Sequence, residues 1–427
     1  MIQGDKFMSE INTEKINSAV ENAVSWIFDR ARVTDPEHVC FGGLINDYDM
    51  AGRQWNIYES FWHTAQAVRA LIALGKTDCP ETCGMMKYLA KRIINAPGNP
   101  RISGAVCRVE GRRKGELATT TLTDGLPGLV DAYLVSSDPE LYAALERSGN
   151  WLETCALDPV TGFCYSFMDG KTGVPTLHPT YHGSDHPEFA NKRPEAEGAS
   201  LLLLGRLLKR PELERAYKNI LDYLAADQYP DGIWWNWSCN RRSPDLAHAR
   251  YNLWHAHAML DGYTAFGDEK YLLAARKTAR FYRNAQQLDG VIPYAIAPNG
   301  KGIAQQICGS AVAMAALLWL RLLSMEYDED LAEGVRLSAE FLLYTQFSMD
   351  FFDENLRGAF FESSVVAPNG GYSLVKVRDI ATIFGLQLFA KLLSAMKAAQ
   401  TGSLDELLSG SCVIHWEPWA AEVLLRT

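Results

Sequence analysis

The sequence lacks the long apolar run that a membrane-spanning helix requires. No stretch reaches about 18 uninterrupted apolar residues, and the longest candidate, 303–323, is interrupted by Gln305, Gln306 and Arg321. The N-terminal segment MIQGDKFMSEINTEK contains no apolar core of the kind found in secretory signals. These absences predict a cytoplasmic protein with no membrane partner.

An excess of basic residues is also missing. The 427-residue chain has 41 Lys and Arg against 51 Asp and Glu, which gives a net charge of −10. No basic run is long enough to follow a phosphate backbone, so we expect no nucleic-acid partner. The 48% hydrophobic content and the absence of low-complexity tracts indicate a packed globular protein.

The residue spacings typical of metal sites are absent too. The nine cysteines form no C-x-x-C pair, and only Cys79 and Cys83 lie close together. His178, His182 and His186 repeat every four residues, but a proline and a glycine within HPTYHGSDH interrupt the helix that such ligands would need. We therefore predict reduced thiols and no metal.

Several catalytic fingerprints cannot be found either. The nucleophile motif G-x-S-x-G and the phosphate-binding motif G-x4-G-K-[ST] do not occur, and no βαβ pattern surrounds the glycines. These absences argue against α/β-hydrolases, P-loop nucleotide hydrolases and dinucleotide-dependent enzymes. No cofactor is predicted.

What the sequence does contain is a loose internal repeat. Each unit has an amphipathic helix, a long loop rich in glycine and aromatic residues, and a second helix that is apolar nearly all round, such as ASLLLLGRLL or AVAMAALLWL. Short polar links, for example Ser137-Asp138-Pro139 and Lys209-Arg210-Pro211, end one unit and cap the helix that follows. Six such units follow one another along the chain.

Six helical hairpins predict an all-α (α/α)6 toroid in which residues 1–427 form a single catalytic domain. The amphipathic helices would form an outer ring and the apolar helices an inner ring, with short strands in the long loops. An open solenoid is the alternative, but it needs polar capping repeats, and neither end unit has that character. The C-terminal segment CVIHWEPWAAEVLLRT is expected to pack over one end.

The long loops of such a toroid open at one end, where the inner helices begin. Helix N-termini favour polar or anionic ligands there. Aromatic rings beside carboxylates and arginines are typical of sugar sites, because rings stack on apolar sugar faces while polar groups bond to hydroxyls. The residues predicted to bind substrate are Glu59, Trp62, His63, Arg193, Trp234, Trp235, Arg250, Tyr251 and Trp254. Further polar residues in this region are Glu362, Arg378 and Asp379.

Trp234, Trp235 and Trp237 lie together in one of these loops. If the loop is extended, Trp235 points opposite to the other two, so that one face of the segment lines the cleft while the other packs. Burial of the rings in a loop core is the alternative interpretation.

Asp124 is the carboxylate that the sequence singles out most clearly. It lies in TTTLTDGLPGL, at the start of an otherwise apolar helix. Two roles fit this position. Its side chain could cap the helix N-terminus, or, facing the cleft, it could titrate at a raised pKa and transfer protons.

Three segments carry a family resemblance: TLTDGLPGLVDAY, YHGSDHPEFANKRPEAEG and LDYLAADQYPDGIWWNWS. They resemble the six-hairpin glycosidase superfamily, and within it the unsaturated glucuronyl and unsaturated rhamnogalacturonyl hydrolases. The resemblance implies a catalytic aspartate at Asp124, with His182 and Arg193 on the family's histidine and arginine and Glu195 in place of a glutamine. The family's second aspartate follows a histidine on the first inner helix, whereas here His63 is followed by threonine.

We therefore predict a glycoside hydrolase acting on oligosaccharides that contain uronic acid or unsaturated uronosyl sugars. Asp124 would be the general acid or base, while Arg193 and Arg250 would hold the sugar carboxylate, which suits the guanidinium fork. The other predicted catalytic residues are Glu195 and Glu197, as second carboxylates, and His182 and His255, as proton shuttles. The predicted partner is an oligosaccharide substrate, and a homodimer is the assembly left open.

Four alternatives stay open. A uronate lyase would use Tyr251 or a histidine as its base, and a sugar 2-epimerase would use paired histidines on the same toroid. A terpene-cyclase-like toroid is indicated weakly by the spacing in YLAADQYPDGIW, but the protonating Asp-x-Asp-Asp motif is missing. A non-catalytic sugar-binding toroid is the fourth.

Overall fold

The outer layer of the molecule consists of amphipathic helices. The computed structural model describes residues 10–57, 60–109, 114–177, 189, 191–237, 240–242, 245–302, 307–362 and 376–427. In these ranges the outer helices are α1 (Thr13–Asp29), α3 (Pro80–Arg92), α6 (Pro139–Trp151), α8 (Pro211–Asp227), α10 (Glu269–Ala285) and α12 (Glu329–Thr345). In α10, Tyr271, Ala275 and Tyr282 are buried, whereas Arg276 and Arg280 lie on the exposed side.

An inner layer of apolar helices lies within this outer layer. Its members are α2 (Ser60–Ala73), α5 (Leu126–Ser136), α7 (Ser200–Leu207), α9 (Tyr251–Phe266), α11 (Gly309–Leu323) and α13 (Asp379–Ala399). The short helix α4 (Thr119–Thr123) leads into α5. Every residue of α11 except Arg321 is buried, as a helix surrounded on all sides requires.

The inner layer is a closed ring. α2 packs against α5 on one side and against α13 on the other, so the first and last inner helices contact each other. This confirms the predicted (α/α)6 toroid and excludes the open solenoid. By length and composition α13 could cross a bilayer, but 89% of its most apolar window is buried in the described structure, as expected of an inner helix.

The closest helix pairs differ from the units read along the sequence. Among the outer helices, each inner helix contacts most extensively the one that follows it across a short link, as α9 does with α10, and α13 packs on α1. The predicted caps are present in three links, where Asp138, Asp268 and Asp328 accept hydrogen bonds from the first turns of α6, α10 and α12. In the link before α8, the side chain of Arg210 makes no cap bond, and the helix begins with Pro211, a residue that is favoured at the first helical position.

Short strands lie in the long loops, as predicted. They are β1 (Asp47–Asp49), β2 (Gln54–Asn56), β3 (Glu116–Ala118), β4 (Cys164–Tyr165), β5 (Phe167–Asp169), β6 (Lys192–Arg193), β7 (Arg241–Arg242), β8 (Asp245–His248), β9 (Ala295–Ile296) and β10 (Lys376–Arg378). The sheets are β10-β1-β2, β3-β5, β4-β6 and β7-β8-β9. The antiparallel pairing of β1 with β10 sets Asp47 opposite Arg378 and joins the first long loop to the last.

The end of the toroid where the inner helices finish is closed by the C-terminal segment, as expected. After α14 (Leu404–Leu408) the chain ends in a 3-10 helix, Ala420–Arg426. Beneath this segment lies an axial cavity of about 80 Å³. The Trp419 ring covers Lys391, whose Nζ lies 3.9 Å from the ring centroid. We call this the plugged end, and the opposite end, where the inner helices begin, the loop end.

Candidate active site

Asp124 lies half-buried in the two-residue break between α4 and α5. The N-cap position of α5 is occupied by Gly125 without a side-chain bond, so the N-cap interpretation of Asp124 is wrong. The glycines of this motif instead allow close packing on α2. A methyl group on Gly125 would lie 2.5 Å from the Phe61 ring, and one on Gly128 would lie 2.0 Å from the carbonyl oxygen of Ala65. Asp124 is thereby held against α2.

Arg193 is buried between two glutamates. Arg193 is the last residue of β6. Its Nε lies 3.0 Å from Oε1 of Glu195, and its Nη2 donates to Oε1 of Glu197. Both glutamate side chains are almost completely buried. The guanidinium also lies over the Tyr251 ring, 5.4 Å from its centroid. One buried cation therefore faces two carboxyl groups.

The pKa values of the two glutamates are shifted in opposite directions. Burial raises the pKa of Glu195 well above its ordinary value, and Glu197 and Asp124 raise it further, against the opposing charge of Arg193. Burial also disfavours ionised Glu197, but Arg193 and His255 lower its pKa by more, so the net shift is downward. The two pKa values are therefore shifted apart, and Glu195 is the member of the pair that holds a proton more readily.

A pair of left-handed residues follows Glu197. Gly198 has φ +64° and Ala199 has φ +55°, and a methyl group on Gly198 would lie 2.5 Å from Pro127. A left-handed alanine is strained by about 1–2 kcal/mol. These two residues turn the chain into α7 directly after Glu197, whose carboxylate points back to Arg193. Backbone strain of this kind often occurs at functional sites.

His255 has unused hydrogen-bonding capacity. It is completely buried on α9, and neither ring nitrogen has a hydrogen-bond partner among the described residues. Its ring meets those of Tyr251 and Trp234 edge to face, with centroids 4.5 and 5.2 Å away. Burial lowers the pKa of His255 to about 4. The imidazole is therefore neutral at pH 7, with a lone pair available to accept a proton.

His63 of α2 is joined to Asp379, the first residue of α13. Nδ1 of His63 lies 2.5 Å from Oδ1 of Asp379, and both side chains are completely buried. Burial raises the pKa of Asp379 well above its ordinary value. Burial, together with the charges of Arg378 and Arg250, lowers the pKa of His63 well below its ordinary value. Both shifts favour the uncharged form of each group, and the two side chains are joined by a buried hydrogen bond.

Arg250, directly before α9, is held by Glu362. Nη1 of Arg250 lies 2.9 Å from Oε1 of Glu362 and 3.0 Å from Oγ of Ser310. The other oxygen of Glu362 accepts from the main-chain N–H of Ser310, at the start of α11, at 2.9 Å. Arg378 lies 4.0 Å from the same glutamate. This buried carboxylate therefore ties together the segments that precede α9, α11 and α13.

Trp234, Trp235 and Trp237 form a buried loop core, which is the alternative interpretation of this segment. The segment turns at Trp235 rather than running extended, and the rings of Trp234, Trp235 and Trp237 are all buried, so the prediction of alternating faces is wrong. Their indole N–H groups donate to the Leu224 carbonyl, Asp231 and Asp227 respectively. Of these three rings, that of Trp234 packs against His255.

The other predicted binding residues have several placements. The ring of Trp62 packs against His63, with centroids 3.9 Å apart. Trp254 lines the axial cavity beside Phe384 and not the loop end, so its predicted stacking role is not supported. Glu59 and His182 lie outside the described residues.

The described part of the chain contains no cluster of three or more His, Cys, Asp or Glu side chains that could hold a metal ion. The repeated histidines His178, His182 and His186 lie outside it. The acidic groups at the loop end are instead engaged by arginines and by His63.

Sequence reasoning placed Glu362 and Asp379 among the polar residues of this region but missed their pairings. Asp379 begins an apolar helix, which is the same signal that drew attention to Asp124, so a role for it could have been predicted. The partner of Glu362 could not be predicted, because Glu362 lies in a loop and meets Arg250 only through the closure of the ring. The amide of Gln66 in the apolar helix α2 was a further unused signal.

No family model matches the chain, and no curated protein matches its sequence. Solved structures do match. An unsaturated glucuronyl hydrolase from a Bacillus species, responsible for the degradation of glycosaminoglycan, is 13% identical, with a TM-score of 0.62 over 91% of this chain and 98% of its own. A sugar epimerase from a ruminal bacterium is 14% identical, with a TM-score of 0.65 over 89% and 98%.

A third similar structure is a cellobiose 2-epimerase from Bacillus thermoamylovorans. It is 12% identical, with a TM-score of 0.62 over 87% of this chain and 99% of its own. The chain therefore has the (α/α)6 toroid fold of these structures, and the resemblance seen in the sequence is confirmed at the level of fold. The similar structures are sugar-processing enzymes of more than one reaction type.

Proposed function

We propose that this chain is a glycoside hydrolase that acts on oligosaccharides by acid–base catalysis, with Asp124 as the group that exchanges a proton with the sugar. The observation that carries the proposal is the arrangement around Arg193. The half-buried Asp124 interacts electrostatically with Glu195, a completely buried residue whose pKa is raised well above its ordinary value. Neighbouring carboxyl groups with separated pKa values are typical of acid–base sites.

The chemistry assigns each proton a place. Asp124 donates a proton to the glycosidic oxygen as its bond to the anomeric carbon breaks, and water adds its oxygen to that carbon. The attacking water must lose a proton to a base. Among the described residues, ionised Glu197 and neutral His255 are the candidates for that base. The starting state is restored when this proton returns to Asp124 through solvent.

The sequence predicts a substrate that contains uronic acid, and the contacts of the two arginines bear on that prediction. Arg193 and Arg250, the residues predicted to hold a sugar carboxylate, are each paired with buried glutamates. A uronate would compete with those glutamates for both guanidinium groups. We therefore propose that uncharged oligosaccharides be tested beside saturated and unsaturated uronates, with the uncharged class as the better fit.

A sugar 2-epimerase is the second candidate, favoured by His255, whose ring nitrogens have no hydrogen-bond partner within the described ranges. Isotope labelling separates the two reactions. The protein is incubated with the oligosaccharide panel in H2¹⁸O and, separately, in D2O. Hydrolysis yields shorter products with one ¹⁸O at each new reducing end. Epimerisation conserves chain length and incorporates deuterium at C2.

The decisive variant is Asp124→Asn. We expect it to keep the circular dichroism spectrum and melting curve of the wild type while losing at least about 10²-fold in turnover, since an amide cannot donate the proton. Near wild-type turnover in this variant would overturn the assignment of Asp124. Deuterium incorporation without cleavage would replace hydrolysis by epimerisation.

A further inference from the structure

Pro127 interrupts the hydrogen bonding of the segment that carries Asp124. Proline has no N–H, so the carbonyl of Thr123, four residues earlier, lacks its helical donor. Oγ of Ser200, at the start of α7, donates to that carbonyl at 2.5 Å. Nε2 of Gln66, on α2, donates to the carbonyl of Asp124 itself at 2.5 Å. Side chains from two other inner helices thus hold the peptide groups on both sides of the Asp124 Cα.

Gln387 of α13 fixes the Gln66 side chain. Its Nε2 donates to Oε1 of Gln66 at 2.9 Å and to the main-chain oxygen of Gln66 at 3.0 Å. Both glutamines are buried. Because Oε1 of Gln66 accepts from Gln387, the opposite side of its amide, the NH2 group, must face Asp124. A chain of hydrogen bonds therefore runs from α13 through α2 to the candidate catalytic residue.

We propose that Gln66 and Ser200 are positioning residues that aim the carboxylate of Asp124, and that Gln387 fixes the orientation of the Gln66 amide. The inference rests on the proposed function of Asp124. The peptide planes on either side of a Cα set the direction of its Cβ, so losing one of these hydrogen bonds lets the carboxylate drift. A displacement of about 1 Å at a catalytic group lowers the rate by about 10²-fold.

The first test is Gln66→Leu, which keeps the size of the side chain and removes the donor. With the best-cleaved member of a 4-nitrophenyl glycoside panel, we expect kcat to fall about 10–100-fold and KM to change little. Amide hydrogen exchange in residues 119–130 should accelerate. Ser200→Ala should act in the same direction through the Thr123 carbonyl.

The matched control is Gln286→Leu. Gln286 is also a buried amide that joins two helices, with its Nε2 bonded to Gly334 and Ser338 in the outer layer. This variant should lose stability but keep kcat within about twofold and leave exchange in 119–130 unchanged. Equal losses of kcat in the two glutamine variants would overturn the inference, because Gln66 would then act only through stability.

Two further measurements separate positioning from a general defect. A Gln66→Glu variant can donate to Asp124 only while its new carboxyl group is protonated, so its kcat should recover toward low pH, unlike that of Gln66→Leu. In the Asp124→Asn background, Gln66→Leu should cause no additional loss, since it acts through Asp124. Full activity of Asp124→Asn would sink the proposed function. An inactive Asp124→Asn beside a fully active Gln66→Leu would sink the positioning role alone.

Discussion

The two ends of the toroid bury charged side chains in opposite ways. At the plugged end each cation has a carboxylate of its own: Arg69 Nε lies 2.9 Å from Asp131, Arg321 Nη2 lies 2.7 Å from Asp261, and Lys391 Nζ lies 3.7 Å from Glu422. At the loop end Arg193 faces two glutamates, and His255 has no hydrogen-bond partner among the described residues.

The same inner helices supply both ends, so the difference does not come from the scaffold. It lies in how completely polar groups are satisfied. A buried network with every member bonded stabilises a fold, whereas a partly satisfied network is costly and is retained in proteins where it has a use. The plugged end is accordingly a closure, and the loop end is the site where chemistry is expected. The predictions below test this contrast.

The largest expected effect concerns Glu195 and Glu197, the two carboxyl groups that face Arg193 at the loop end. When either Glu195 or Glu197 is replaced by Gln, the remaining glutamate ionises and still compensates Arg193, so each single variant should lose only about 1 kcal/mol. The double variant leaves a buried cation uncompensated and should lose about 3–5 kcal/mol. At the plugged end, Asp261→Asn alone should approach that loss, because Arg321 has one direct carboxylate partner.

Urea unfolding at pH 7 measures all four variants. The expected signature is a double-variant loss well above the sum of the single losses. Additive losses would show that the two glutamates stabilise Arg193 independently, and the contrast between the ends would fail.

Two histidines on α9 give a smaller, paired test. His257 lies at the axial cavity with both nitrogens engaged, Nε2 by the Met314 carbonyl at 3.0 Å and Nδ1 by Arg321 at 3.3 Å. His257→Leu leaves those partners unsatisfied and should cost about 1–3 kcal/mol. His255→Leu removes a polar group that has no hydrogen-bond partner in the described part of the chain, so stability should stay equal or rise, while turnover falls at least tenfold.

Thermal unfolding and glycoside turnover, measured together on both variants, check this prediction. A stability loss in His255→Leu as large as in His257→Leu would mean that His255 is bonded in the folded protein. Unchanged turnover in His255→Leu would remove it from the candidate site.

The pH dependence of stability offers a subtler test of the plugged end. Burial lowers the pKa of Lys391 to about 8 from its ordinary value of 10.5. The folded state therefore binds this proton less tightly than the unfolded state, so the contribution of Lys391 to stability rises as pH increases from about 8 to 10.5. In Lys391→Met this rise should disappear. Urea midpoints at pH 7, 8, 9 and 10 measure it, and parallel curves for the two proteins would contradict the assignment.

Much of the fold followed from local signals in the sequence. Helix periodicity and the Asp caps at Asp138, Asp268 and Asp328 defined the units, and the contrast between amphipathic and apolar helices defined the two rings. The position of Asp124 at the start of an inner helix was also predictable. These features depend on residues within one or two helical turns of each other, where spacing along the chain determines geometry.

The pairings within the site could not be predicted in this way. His63 meets Asp379 across 316 positions of the chain, and Arg250 meets Glu362 across 112, so both depend on ring closure and on the exact packing of neighbouring helices. The prediction for the tryptophan segment was wrong for a local reason, because the chain turns where an extended strand was assumed. Ala199 is similar, since nothing in its residue type predicts a left-handed backbone.

The smallest predicted effect isolates that strained residue. Ala199→Gly loses a buried methyl group and adds backbone entropy to the unfolded chain, which together cost about 1.5 kcal/mol, but it also relieves about 1–2 kcal/mol of left-handed strain. Stability should therefore stay within about 0.5 kcal/mol of wild type. Ala196→Gly is the matched control, because Ala196 is equally buried with an ordinary φ of −101° and should lose the full amount. Equal losses in the two variants, measured by urea unfolding, would mean that the backbone after Glu197 stores no strain, and the loop end would then differ from the plugged end in its hydrogen bonding alone.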